Sequence, residues 1–186
     1  MASELKACVL GGASPGKSAL IHRYVTGTFP TTSKNITLGV DFLTVLRGSR
    51  RVEIADTNST QAFRPCILTC LRDMDAAIVV YDVTSRDSFD KAKAWLAEIK
   101  GRIPCVLLAN KADLQTTTTT TTPVVSAEEA NGLDVPFFET SALTGRNVHE
   151  AFHTAFAAAD RRRRRGDKNG FFSPPFRLSP TPITSH

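Results

Sequence analysis

Eight residues near the start of the chain, Gly11-Gly12-Ala13-Ser14-Pro15-Gly16-Lys17-Ser18, fit the pattern GxxxxGK[ST]. The pattern carries chemistry where a strand turns into a helix, and here apolar Cys8-Val9-Leu10 precedes it and Ala19-Leu20-Ile21-His22-Arg23-Tyr24 follows. In that setting the amides of Gly12, Ala13, Ser14 and Gly16, with those of the first helical turn through Ala19, point into one concavity. The helix dipole makes that concavity attractive to a phosphate chain. Lys17 is placed to reach β and γ phosphates, and the Ser18 hydroxyl to ligate Mg2+. Pro15 has no N–H, which leaves the cradle one donor short. A bare connecting turn would not require Gly16, Lys17 and Ser18 together.

The elements that must position this loop can be read from periodicity. A polar, loop-like stretch from Thr28 to Ile36 follows the first helix, which ends near Gly27. Val40 to Leu46 and Arg51 to Ala55 then read as two strands joined by a hairpin turn at Arg47-Gly48-Ser49-Arg50, the second ending at Asp56. Residues 57–63 read as loop, and a short helix is expected over residues 64–72. The continuous apolar run from Ala76 to Tyr81 has the character of a strand buried on both faces, as does Ile103 to Ala109, which runs into Asn110-Lys111-Ala112-Asp113. Between them Phe89, Ala92, Trp95, Leu96 and Ile99 recur at helical spacing. Thr116 to Thr122 is a low-complexity loop to which no function attaches. Ser126 with Glu129 forms a capping box for a helix that Asn131-Gly132 soon ends. Val135 to Phe138 is the last strand, and Val148, Ala151, Phe152, Ala155 and Phe156 mark the inner stripe of a helix reaching Arg165.

Alternating strands and helices imply an α/β fold, a doubly wound, mostly parallel six-stranded sheet with one antiparallel edge strand. Ligands of such sheets sit beyond the carboxyl ends of the strands. The phosphate loop, Asp56, Asn110 to Asp113 and Ser141-Ala142 all fall at such ends.

Composition bounds what the chain can be. Its 186 residues suit one domain, expected over residues 1–165, followed by a disordered Pro/Ser/Thr-rich tail over residues 166–186. No apolar run is long enough to span a membrane, and the start lacks the apolar core of a signal peptide. The net charge of +5 is not spread over the domain: residues 1–160 carry 16 Lys+Arg against 17 Asp+Glu, and residues 161–186 carry 7 against 1. This assigns the basicity to a solvated segment, Arg161, Arg162, Arg163, Arg164 and Arg165, with weak electrostatic contact to an anionic membrane or acidic partners as its secondary reading; nucleic acid ranks third, and none is expected as a partner, because no basic face accompanies the run in the domain. The four cysteines have no metal-ligand spacing and read as reduced thiols.

Taken together, the strand-end motifs over residues 4–160 resemble those of the Ras superfamily of small GTPases, nearest its Rab branch. Ile36-Thr37-Leu38-Gly39-Val40-Asp41-Phe42 resembles the Rab switch I sequence, and Glu139-Thr140-Ser141-Ala142 with Gly145-Arg146-Asn147-Val148 resembles the Rab ending. The resemblance implies that GTP and GDP bind with Mg2+, the metal held by Ser18, Thr37 and Asp56. It implies that Asn110 and Asp113 read guanine, that the Lys111 stem packs along the base, that Phe29 covers it, that the Ala142 N–H donates to the guanine carbonyl, and that Ser141 and Leu143 belong to the same base-binding loop. Physically, the Asp113 carboxylate can accept from both the ring N–H and the amine of guanine, a donor pair adenine lacks. Lys17, Thr37, Thr60 and Gln61 are the residues expected to act in hydrolysis. Effectors and regulators are expected at switch I, from Thr28 to Phe42, and switch II, from Asp56 to Arg72.

Departures from the family pattern set the finer expectations. Where the family reads DTAGQE, this chain has Asp56-Thr57-Asn58-Ser59-Thr60-Gln61: Ser59 replaces the glycine whose amide meets the γ-phosphate, and Thr60 the glutamine that orients water. Ala13 stands where many members have glycine, and Leu143 where a lysine is usual. Ile183-Thr184-Ser185-His186 offers no prenylation cysteine, and the Met-Ala start no myristoylation site. The expectation is a Rab-like switch in vesicular traffic, cytoplasmic or peripheral at membranes, hydrolysing GTP slowly. The alternative is a hydrolysis-deficient GTP-binding subunit of a larger complex. An adenine-specific enzyme leaves Asn110, Asp113 and Ser141-Ala142 unexplained.

Overall fold

The computed structural model describes residues 4–31, 37, 39–58, 60–116 and 125–166. Its elements are β1 (Leu5–Gly11), α1 (Lys17–Thr26), β2 (Val40–Arg47), β3 (Arg50–Thr57), α2 (Arg64–Cys70), β4 (Ala76–Asp82), α3 (Arg86–Ile99), β5 (Cys105–Asn110), α4 (Asp113–Thr116), α5 (Ala127–Asn131), β6 (Phe137–Glu139) and α6 (Val148–Arg164). The six strands lie in the order β2-β3-β1-β4-β5-β6, all parallel except the β2/β3 hairpin, which places β2 antiparallel at one edge. This is the doubly wound sheet read from the sequence.

Alternation along the central strands explains the two covered faces. Ala7 and Val9 of β1 point to the side holding Leu20, Ile21 and Tyr24 of α1 with Val148, Phe152 and Phe156 of α6. Cys8 and Leu10 point to the other, against Ile67 of α2 and Phe89, Trp95 and Ile99 of α3. Because both faces are buried, β1 and β4 read as unbroken apolar runs rather than as polar/apolar alternation. Tyr24 and Phe152 stack at 4.5 Å between centroids and 9° between planes, which fixes α1 against α6.

Local differences from the sequence reading have identifiable causes. The loop after Asp56 is shorter than expected: β3 continues through Thr57, whose hydroxyl donates to the Val9 carbonyl at 2.6 Å, and Gln61–Phe63 forms a 3-10 turn leading into α2. A second such turn, Leu71–Asp73, completes what periodicity gave as one helix. The capping box is half built. The Ser126 hydroxyl accepts from the Glu129 N–H at 3.1 Å, but the Glu129 carboxylate is held by both terminal nitrogens of Arg86 at 2.8 Å. The first threonine of the run belongs to the single turn α4, which periodicity did not indicate. The basic run is not wholly solvated chain: α6 carries it to Arg164, and Arg163 grips Asp75 through Nε at 2.6 Å and a terminal nitrogen at 2.5 Å. Residues 32–36, Leu38, Ser59, residues 117–124, the tail beyond Gly166 and the Gln61 side chain lie outside the described residues.

Phe152 is fully buried and packed on Tyr24 and Phe156, so Phe152→Ala should lower unfolding free energy by about 3–5 kcal/mol. Urea unfolding followed by circular dichroism checks this, and a loss under about 1 kcal/mol would mean that α6 is not seated as described.

Candidate functional site

The phosphate loop leaves β1 and enters α1 through Gly16, whose φ of 88° is a left-handed conformation suited to glycine. A Cβ there would also lie 2.4 Å from the Asn110 amide nitrogen. Sterics and backbone therefore both require the glycine. No side chain caps the start of α1 and no acidic residue occupies its first turn, so its amides face outward as an anion site. Lys17 lies back over the loop, its Nζ donating to the Gly12 carbonyl at 3.0 Å. Burial pushes its pKa down to about 8, against the opposing pull of Asp56. Ala13 and Ser14 are exposed at the loop's crest, while Pro15 is buried and offers its carbonyl to the Asn110 amide.

At the start of α1, residues far apart in sequence bring three oxygens together. Ser18 Oγ donates to Asp56 Oδ2 at 2.5 Å, and Thr37 Oγ1 lies 3.4 Å from each of them. The register Val9↔Asp56 explains why: β3 runs beside β1 and delivers Asp56 to the mouth of the loop. Two hydroxyls and a buried carboxylate form a hard, all-oxygen donor set of the kind Mg2+ takes. The residues present thus fit the metal.

A second cluster sits at the ends of β5 and β6. Asn110, 1% exposed, donates through Nδ2 to the Pro15 carbonyl at 2.8 Å and accepts through Oδ1 from the Ala142 N–H at 3.1 Å. Its carboxamide is thus committed to joining the phosphate loop to the loop after β6. In this arrangement the Ala142 N–H also faces Asn110. Asp113 Oδ1 accepts from the Ser141 hydroxyl at 2.5 Å, and the same hydroxyl accepts from the Thr144 N–H at 3.0 Å. Lys111, at a positive φ of 65°, sets its ammonium 2.5 Å from Asp82 Oδ2. Phe29 and Leu143 are exposed, at 41% and 53%, at the rim.

Three site residues had no role assigned to them from the sequence. Arg23 of α1 donates to the carbonyls of Ala142 (2.7 Å), Leu143 and Gly27, pinning the loop after β6 to the helix that carries Lys17 and Ser18. Nothing in its local sequence signals a contact 119 residues away. Asp82 holds Lys111 and also accepts from the Thr84 N–H and hydroxyl; its place at the end of an apolar strand was the available signal. Asn58, 6% exposed, donates to the Thr37 carbonyl and accepts from both the N–H and the hydroxyl of Thr60.

The Ras family model matches residues 6–161. The chain belongs to the Ras family. It is 35% identical over 160 residues to Ras-related protein Rab-4B of Homo sapiens, Mus musculus and Rattus norvegicus, an alignment spanning 79% of this chain and 72% of each relative. It therefore stands on the Rab-like side of that family, whose members are GTP-binding switches and GTPases. Among the described residues no group of His, Cys, Asp and Glu forms a separate metal cluster, and no helix is long and apolar enough to cross a membrane.

Asp82 gives this region of the Ras-family domain an acid-sensitive anchor. Burial alone would raise its pKa, but hydrogen bonds from Lys111 and Thr84 outweigh that and hold it below the ordinary value of 3.8. A depressed carboxylate stabilises the fold above its unfolded-state pKa and loses that contribution as pH falls through the folded value. The stability advantage of the natural protein over Asp82→Asn should be full at neutral pH and shrink below about pH 4. Denaturant titrations across that range test this; an advantage constant with pH would contradict it.

Proposed function

We propose that the chain is a Rab-like guanine-nucleotide switch that uses Mg2+, acts in intracellular traffic and hydrolyses GTP slowly. The observation that supports it best is the convergence of Ser18, Thr37 and Asp56 beside the buried Lys17. Thr37 lies in the stretch that resembles switch I, so the residues suited to the metal, the phosphate loop and that stretch meet at one point. In this reading Gly12, Ala13, Ser14, Gly16 and Ala19 present backbone amides to the phosphates, and Lys17 turns from the Gly12 carbonyl to the β and γ oxygens. Ser18, Thr37 and Asp56 would hold Mg2+, which would supply charge neutralisation. Asp113, oriented by Ser141, accepts the two guanine donors, while Phe29 and the Lys111 stem sandwich the base. Asn110 acts as the positioning residue that sets the loops carrying both ends of the nucleotide.

The way Thr60 is held supports the reading of slow hydrolysis. Its N–H and hydroxyl both donate to Asn58 Oδ1, so the short side chain at the usual glutamine position is engaged with protein rather than with an attacking water. The same observation favours a second reading, a GTP-binding subunit that scarcely hydrolyses and works by holding a partner. Partners of either kind would meet residues 28–42 and 56–72, where Phe42 of β2 is 52% exposed. Residues 1–165 form the working domain, and residues 161–165 add weak, salt-sensitive contact with anionic lipid in a cytoplasmic or peripheral setting.

Asp113→Ala should weaken GDP binding by about 3 kcal/mol, roughly a hundredfold, because guanine donors are left unpaired. Equal competition of ATP and GTP against labelled GDP in the natural protein would contradict the guanine assignment. In single-turnover hydrolysis, Thr60→Gln should accelerate the reaction by about tenfold or more. A natural rate already typical of active family members and unmoved by Thr60→Gln would overturn the slow-hydrolysis reading, and a fast rate abolished in Gln61→Ala would transfer the role to Gln61.

A further inference from the structure

We infer that Asn58 is a positioning residue that latches switch I to switch II through protein contacts alone. The carboxamide is divided between the two switches: Nδ2 donates to the Thr37 carbonyl, and Oδ1 accepts from the Thr60 N–H at 2.6 Å and from the Thr60 hydroxyl. The backbone supports the side chain. The β2/β3 register pairs Val40 with Thr57, and one step further the Asn58 N–H donates to the Gly39 carbonyl at 2.8 Å. Asn58 therefore begins where the ladder ends and extends it by one side chain to Thr37, the residue whose hydroxyl meets Ser18 and Asp56.

The consequence concerns what closes switch I. An alanine at this position, as in the family pattern, has no side-chain donor to offer the Thr37 carbonyl. Here a buried amide holds it from behind. At 6% exposure Asn58 has little water to replace these bonds, so breaking either half leaves one of its carboxamide atoms poorly satisfied, although Thr60 itself is exposed. Closure of Thr37 and engagement of Thr60 are thus one event rather than two, and the ordering that GTP must supply is reduced. This deepens the switch reading above but does not depend on nucleotide for its test.

Hydrogen exchange of the full chain, measured as purified and again after nucleotide and metal are stripped with EDTA, tests the latch. In Asn58→Ala, segments 37–43 and 57–64 should both exchange roughly fivefold faster or more, in both states, while segments at the ends of β5 and β6 keep their protection. Asn58→Asp keeps the acceptor for Thr60 and replaces the donor to Thr37 with a second oxygen. It should loosen 37–43 and leave 57–64 protected, a split that general destabilisation would not produce. Unchanged exchange of 37–43 in both variants overturns the latch, as does loosening of 57–64 in Asn58→Asp equal to that in Asn58→Ala. Failure of the nucleotide reading would show separately, as a purified protein carrying no guanine nucleotide.

Discussion

One buried carboxamide holds the site together. Asn110 donates to the carbonyl of Pro15 in the phosphate loop and accepts from the amide of Ala142 in the loop after β6, so the two ends of the site are fixed by a single side chain at 1% exposure. Neither bond has solvent to replace it, and an unsatisfied amide there would cost about 1–3 kcal/mol per lost partner. The geometry around it follows from that constraint. Gly16 must lack a Cβ because Asn110 occupies the space, and Pro15, which gives no N–H to the cradle, contributes its carbonyl instead. Arg23 ties the same Ala142 loop to α1 from the other side, closing a ring of contacts through β1, α1, β5 and β6.

The switch side of the site is built on a different principle. Ser18, Thr37 and Asp56 come from a helix start, a loop and a strand end, and they meet because β3 is parallel to β1 and delivers Asp56 in register with Val9. The part centred on Asn110 and the part centred on Thr37 meet at the phosphate loop and α1. In the proposed reading, one part would hold the base while the other would respond to the phosphates.

Much of this was legible in the sequence because it rests on local patterns. The unbroken apolar runs of β4 and β5 gave the parallel sheet, the stripe from Val148 to Phe156 gave α6, and the spacing of Gly16, Lys17 and Ser18 gave the phosphate loop. What stayed hidden depends on long-range pairing or on competition between partners. Arg23 meets Ala142 only after the whole sheet is assembled. Glu129 looks like the second half of a capping box until Arg86, on another helix, takes its carboxylate. Asn58 reads as a mere departure from the family pattern; its meaning emerges when Thr37 and Thr60 are seen on either side of it.

In the proposed function, one guanine-nucleotide site is assembled across the ends of β1, β3, β5 and β6. It is tested most directly by denaturing the purified full chain and separating whatever nucleotide it releases by ion-exchange chromatography. The account predicts GDP or GTP in stoichiometric amount from the natural protein, and little or none from Asn110→Ala, in which the two loops are no longer joined. Release of an adenine nucleotide, or of no nucleotide from a folded natural protein that also fails to take up added GDP with Mg2+, would contradict it.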